Sequence, residues 1–169
     1  MSENIDFRVD YNKFKVMDEF NTDELKYPLI LSIPHCGTVF PEEFLRAVRH
    51  DVMTLRKNED ILVYDLLEPA IRDGGIAAIK LNVSRSFIDV NRAKVELDPN
   101  MFFDYPREDI GLNQQRSRYG LGIIHKVTAD SRPIYAGRIS YKEAEERIKN
   151  VYDVYHGRLK ELIARTIDK

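Results

Sequence analysis

His35 follows directly on the apolar run Leu29-Ile30-Leu31-Ser32-Ile33 and Pro34, in the stretch LSIPHCGTVFP. Neutral imidazole is the commonest protein metal ligand and the usual general base. Just past a strand end it is held on a rigid element, and Gly37 lets the chain turn sharply or approach a ligand closely. The competing account of His35 is a histidine hydrogen-bonded within a turn. Cys36 is a weaker chemical candidate. Neighbouring residues on extended chain point to opposite sides, so His35 is badly placed to act as its base. A small buried hydrophobe is the plainer role for this thiol. Glu59 and Asp60 offer carboxylates at the start of an expected helix. They either complement the helix dipole or supply an oxygen ligand to a mixed imidazole/carboxylate zinc site, which takes three protein ligands and a water when catalytic. The cluster SRSFIDVNR contributes Arg85, Asp89, Asn91 and Arg92. Its guanidinium groups can grip a carboxylate bidentately. Asp89 can hold one of them, or orient a metal-bound histidine through its second ring nitrogen. A salt-bridge network around a turn explains the same residues without chemistry.

The elements that must carry these groups follow from pattern. Residues 29–33, bracketed by Pro28 and Pro34, read as a short buried strand. Pro41 with Glu42 and Glu43 opens a helix. Residues 58–73 read as a helix capped by Asn58, with Ile61, Leu62, Tyr64, Leu66, Leu67, Ala70 and Ile71 on an apolar side and Gly74-Gly75 as its stop. Pro69 predicts a kink or an early end. Ile76 to Val83 reads as a strand leading into the Ser84–Arg92 cluster. Residues 93–119 are loop-like, with ELDPN and DYPRED as turn signals, and YGLGIIHKVT is a further strand candidate. Ser140 and Glu143 form a capping-box pattern. Ala144, Ile148, Val151, Tyr155, Leu159 and Leu162 then give one apolar stripe of a long helix. Residues 1–27 are a polar lead-in with scattered aromatics, expected to pack loosely or to pair at a sheet edge. This order of elements predicts one α/β domain over residues 1–169, a mostly parallel or mixed sheet with flanking helices. Ligand chemistry in such sheets gathers outside the carboxyl ends of the strands, where both His35 and the Ser84-Arg85 pair fall. Of the other histidines, His50 is expected at a surface helix end, His125 within an apolar strand as a satisfied core residue, and His156 beside the stripe of the long helix.

Composition narrows the function classes. The chain has 169 residues, 43% hydrophobic and 32% charged, which suits an ordinary globular domain with a real core. A formal charge of -2 gives no basic field for nucleic acid. The single cysteine rules out an intrachain disulfide and a Cys-rich zinc module. No apolar run approaches the ~20 residues of a membrane helix. The polar, acidic start MSENIDFRVD is unlike a secretory signal, and a cytoplasmic location is the expectation.

Taken in order, LSIPHCGTVFP, NED, LNVSRSFIDVNRAK, PIY and YHGRLKELIAR resemble the N-formylglutamate amidohydrolase family, over residues 29 to 165. SRSFIDVNR is the most specific of these pieces and SIPHCG the second. The resemblance implies a zinc-dependent amidohydrolase with a fold similar to the zinc carboxypeptidases (phosphorylase/hydrolase-like). It acts on a small N-formyl or N-acyl acidic amino acid such as N-formylglutamate. It implies His35 as a zinc ligand and Asp60 as the carboxylate ligand, with Glu59 as its rival. Arg85 and Asp89 become the catalytic candidates, and Arg85, Asn91 and Arg92 the substrate-binding ones. The family pattern goes on to a strand ending Asp-x-His-Ser, whose histidine is the third zinc ligand. This sequence stops at Lys169 without that motif. The expectation is therefore a chain incomplete at its C-terminal end, with an exposed sheet edge and a tendency to homo-oligomerise. The alternative expectation is a family member without hydrolase activity: a fragment, a pseudoenzyme or a subunit completed by a partner.

Overall fold

The structure, a computed structural model, describes residues 3–106 and 119–167. Its elements in chain order are β1 (Asn4–Ile5), β2 (Met17–Phe20), β3 (Ile30–Ile33), α1 (Glu42–Ala47), α2 (Val52–Leu55) and α3 (Val63–Arg72). These are followed by β4 (Ala77–Leu81), β5 (Arg138–Ile139), α4 (Tyr141–Arg147), a π-helical turn (Ile148–Tyr152) and α5 (Asp153–Ile167).

β4 is the centre of a three-stranded sheet. It pairs parallel with β3 (Leu31 opposite Ala78) and antiparallel with β2 (Met17 opposite Leu81). Its near-continuous apolar sequence is what a strand covered on both faces requires. Ala77, Ile79 and Leu81 enter the main core, while Ala78 faces a smaller cluster with Ile33 and Ile71. The period-two alternation continues on β3. Ile30 packs against the main core, and Leu31 and Ile33 join the smaller cluster. α3 covers that second face through Tyr64, Leu67 and Ile71. The helical run from Tyr141 covers the other face, burying Ala144, Val151, Tyr155 and Leu162. The Tyr155 hydroxyl lies 2.9 Å from the Ser32 hydroxyl and pins the long helix to β3. The lead-in pairs at an edge, as β2, and Phe7, Val9, Tyr11 and Phe14 pack against the core. β1 and β5 form a separate parallel pair.

Four local expectations are corrected. The helix expected from Asn58 begins only at Val63. Residues 58–62 are spent on tertiary bonds instead: the Asp60 N–H donates to the His35 carbonyl (3.1 Å) and Asn58 is buried. Ile61, Leu62 and Leu66 are consequently exposed rather than on a packed side, and α3 runs through Pro69 to Arg72. The segment YGLGIIHKVT is not a strand but an irregular buried stretch with isolated bridges, Leu121 to His125 and Val127 to Pro133. Ser140 makes no capping bond within its helix; Asp104 caps it, accepting from the Ser140 hydroxyl (2.8 Å) and the Tyr141 N–H (2.5 Å). Glu143 turns instead to Arg147, which is fully buried beneath Phe87. Finally, the long helix is interrupted by its π-helical turn. Part of the DYPRED turn signal lies outside the described residues.

Candidate active site

Two chain reversals at neighbouring strand ends make the site. After β3, Pro34 ends the pairing and the loop runs across the exit of β4. Val39 donates to the Asn82 carbonyl (2.8 Å) and the Ser84 N–H returns to the Val39 carbonyl (2.9 Å). Gly37 is required there. A Cβ at this residue would lie 2.2 Å from the Val83 carbonyl oxygen, which is backbone and cannot give way. After β4, the chain coils through successive turns, Phe87 to Ser84 and Arg92 to Asp89. Phe87, Ile88 and Val90 sink into the core, and this anchors Asp89 between them with no exposed surface.

Asp89 is the hub. His35 Nε2 lies 3.0 Å from its Oδ1, which also accepts the Asn91 N–H at 2.9 Å. Arg85 Nε donates to its Oδ2 at 2.9 Å. Arg92 Nε (3.5 Å) and His125 Nε2 (3.4 Å) approach the same oxygen without completing a hydrogen bond. Burial alone would raise the Asp89 pKa. The ring N–H groups of His125 and His35 that face it and the guanidinium of Arg85 outweigh burial and hold the carboxyl far below its usual range. An ionised carboxylate only accepts, so His35 Nε2 carries a proton. The other ring nitrogen, Nδ1, faces Asp60 Oδ2 at 3.2 Å. His35 is buried, whereas the Asp60 side chain is half exposed. Glu59, one residue earlier, points away: it accepts from Ser84 Oγ (3.1 Å) and Arg56 Nε (3.0 Å). Burial pushes its carboxyl above the usual value, against the pull of Arg56 and Ser84.

The donor set can be tested against zinc. Zinc–nitrogen and zinc–oxygen bonds of about 2.0–2.2 Å in tetrahedral geometry set two ligand atoms about 3.3 Å apart. The 3.2 Å between His35 Nδ1 and Asp60 Oδ2 matches that separation. Two acceptors facing each other so closely repel unless a cation, a metal ion or a proton, lies between them. The carboxylate on the far ring nitrogen is the outer contact that metal-binding histidines use to fix their orientation. These two residues fit two ligand positions. Among the described residues no set of three His, Cys, Asp or Glu side chains converges on one point.

Arg85 and Arg92 are mostly buried along one side of Asp89, and Asn91 contributes its backbone to the hub. Cys36 Sγ turns to the Asp60 carbonyl (3.2 Å), and burial raises its pKa. His156 lies 2.7 Å from the Val90 carbonyl and ties α5 to the DVNR turn, and His50 binds the Pro133 carbonyl (3.0 Å) remote from the cluster. Sequence reasoning missed Asn58 and His125. Asn58 Nδ2 reaches Ser86 Oγ (3.0 Å) and His125 Nδ1 (3.4 Å), and so joins His125 to the hub. A histidine in an otherwise apolar run with no local partner was the available signal. A cavity of about 410 Å³ beside Phe7, Tyr11 and Glu146 includes none of these residues.

A mixed sheet between helices, with imidazole, carboxylate and guanidinium groups gathered where parallel strands end, defines an α/β protein with a polar cluster at its strand ends. The chain belongs to the N-formylglutamate amidohydrolase family, whose profile matches residues 27–169. It is similar to the crystal structure of N-formylglutamate amidohydrolase from Ralstonia eutropha JMP134, with a TM-score of 0.81 and 26% identity over 92% of this chain. A second structure, gene product Atu2144 from Agrobacterium tumefaciens, shares the fold at a TM-score of 0.56 and 16% identity over 94% of this chain. This chain spans 54% of the length of each. No curated protein matches it. No helix among the described residues is long and apolar enough to cross a membrane.

Proposed function

We propose that the chain carries the metal and carboxylate subsites of a zinc-dependent hydrolase that cleaves the amide of an N-formyl or N-acyl acidic amino acid, such as N-formylglutamate. The observation that carries this reading is the pair His35 Nδ1 and Asp60 Oδ2 at 3.2 Å, with the far side of the imidazole held by a buried aspartate. His35 and Asp60, rather than Glu59, are the zinc ligands. Zinc bound there acidifies a water towards neutral pH and polarises the acyl carbonyl. The rest falls to this chain's own side chains. Asp89 keeps the His35 proton on Nε2 and so leaves Nδ1 free to ligate. Arg85 and Arg92 reach Asp89 from the side, and a guanidinium partly freed from it can take a substrate carboxylate in a fork. Arg85, which shares Asp89 with His35, is also suited to a developing oxyanion. Asn91 fixes the turn that presents Arg92. The product amino acid and carboxylic acid follow from amide cleavage by water.

A second reading is favoured by one observation: no third ligand accompanies His35 and Asp60 among the described residues. On that reading the chain binds zinc weakly and hydrolyses nothing until a further segment or partner supplies a ligand. Release of glutamate from N-formylglutamate, measured with and without added zinc on the purified chain and on His35→Ala, separates the two. Zinc-dependent release lost in the variant supports the first reading. No release at any zinc concentration, with zinc still bound through His35, supports the second.

A further inference from the structure

The hydrogen-bond chain behind Asp89 fixes its own proton positions. A backbone carbonyl only accepts, so Ser86 Oγ must donate its proton to the Leu55 carbonyl at 2.8 Å. Ser86 Oγ therefore accepts from Asn58, 3.0 Å away, and the Asn58 amide must present its nitrogen rather than its oxygen. The second hydrogen of that amide is directed at His125 Nδ1, 3.4 Å away. His125 Nδ1 is then the acceptor nitrogen, and the proton of the neutral ring sits on Nε2, facing Asp89 Oδ2 at 3.4 Å. Asn58, Ser86, His125 and Asp89 are all buried. On the far side, Asp89 Oδ1 accepts from His35 Nε2–H.

We propose that His125 is a positioning residue of the site, locked as its Nε2–H tautomer by Asn58 and holding Asp89 against His35 from behind. The His125 proton has no completed hydrogen bond, and Arg85 already occupies the oxygen it faces. The Nε2–H still faces that oxygen at 3.4 Å and attracts it, so His125 helps to keep Asp89, and through it His35, in place. The consequence for metal affinity rests on His35 being a zinc ligand; the tautomer does not.

The test uses the whole chain in two arms. Long-range 15N–1H correlation spectra of the metal-free protein assign the His125 tautomer. The wild type should show Nε2–H, and Asn58→Ala should show a mixture of tautomers. Zinc affinity, measured by competition with a chromophoric chelator, should fall on the order of 10-fold in His125→Leu. It should return close to wild type in His125→Gln, whose amide can donate from the Nε2 position. A wild-type His125 protonated on Nδ1 overturns the proposal, as does His125→Leu with undiminished affinity. Should the wild type bind no zinc, the metal reading fails by itself. The tautomer, and the response of the His35 Nε2 resonance to His125→Leu against His125→Gln, then decide the proposal. If His125→Leu does not fold, Asn58→Ala carries both arms.

Discussion

Replacing Asp89 by asparagine changes almost no volume and removes one buried charge. The carboxylate has no exposed surface, accepts from Arg85 at 2.9 Å and from His35 at 3.0 Å, and is approached by Arg92 and His125. An asparagine amide turns a donor towards groups that are themselves donors. Breaking a buried ion pair by removing one partner costs about 3–5 kcal/mol, and that is the loss expected for Asp89→Asn near pH 5. The sign of the pH dependence follows from the depressed Asp89 pKa. The unfolded aspartate takes its proton near pH 3.9 while the folded one stays ionised. The stabilisation is therefore complete above the unfolded value and drains away as pH falls towards the folded one. At pH 3 about 1.3 kcal/mol of it has gone, from roughly one unit below the unfolded pKa. Urea unfolding of both proteins at pH 5 and pH 3 should thus show a gap that narrows by about that amount, the other carboxylates cancelling in the difference. A gap under 1 kcal/mol at pH 5, or one that does not change between the two pH values, refutes the placement of Asp89 as the buried charge of the site.

Three further outcomes are expected. Glu143→Gln leaves the fully buried Arg147 without its carboxylate and should cost about 3–5 kcal/mol, whereas the double variant Glu143→Gln/Arg147→Met should recover most of it; a double-mutant cycle by denaturant unfolding measures the coupling. Gly37→Ala forces a Cβ against the Val83 carbonyl and should lower the unfolding midpoint while disturbing zinc binding, because the same loop carries His35; unchanged thermal unfolding would contradict the close approach. Cys36, its thiol pKa raised by burial, should react with iodoacetamide more slowly at pH 7.5 than a free cysteine, and Cys36→Ala should keep its zinc; rapid labelling would show a more reactive thiol.

What could be read in the sequence was what local geometry decides. Strand ends before His35 and Ser84 follow from proline placement and a short apolar run, and they put both clusters on one edge of the sheet. The lead-in strand was legible only as an edge, since its pairing with β4 depends on residues about sixty positions away. Asn58 looked like a helix cap because asparagine before acidic residues usually is one. Its amide is instead used across the fold by Ser86 and His125, and the helix starts five residues later. His125 looked like core because its neighbours Ile123 and Ile124 are core. Only the fold brings Asn58 to one ring nitrogen and Asp89 to the other. Which of Glu59 and Asp60 faces His35 was open for the same reason: adjacent carboxylates look equivalent until the chain direction at residue 60 is set by its bond to the His35 carbonyl.

The most direct measurement of the account is zinc binding by isothermal titration to the wild type, His35→Ala, Asp60→Asn and Glu59→Gln. The account predicts one zinc per wild-type chain, lost in His35→Ala and Asp60→Asn and kept in Glu59→Gln. Zinc binding that survives both ligand replacements, or that disappears with Glu59 while Asp60 is dispensable, contradicts it.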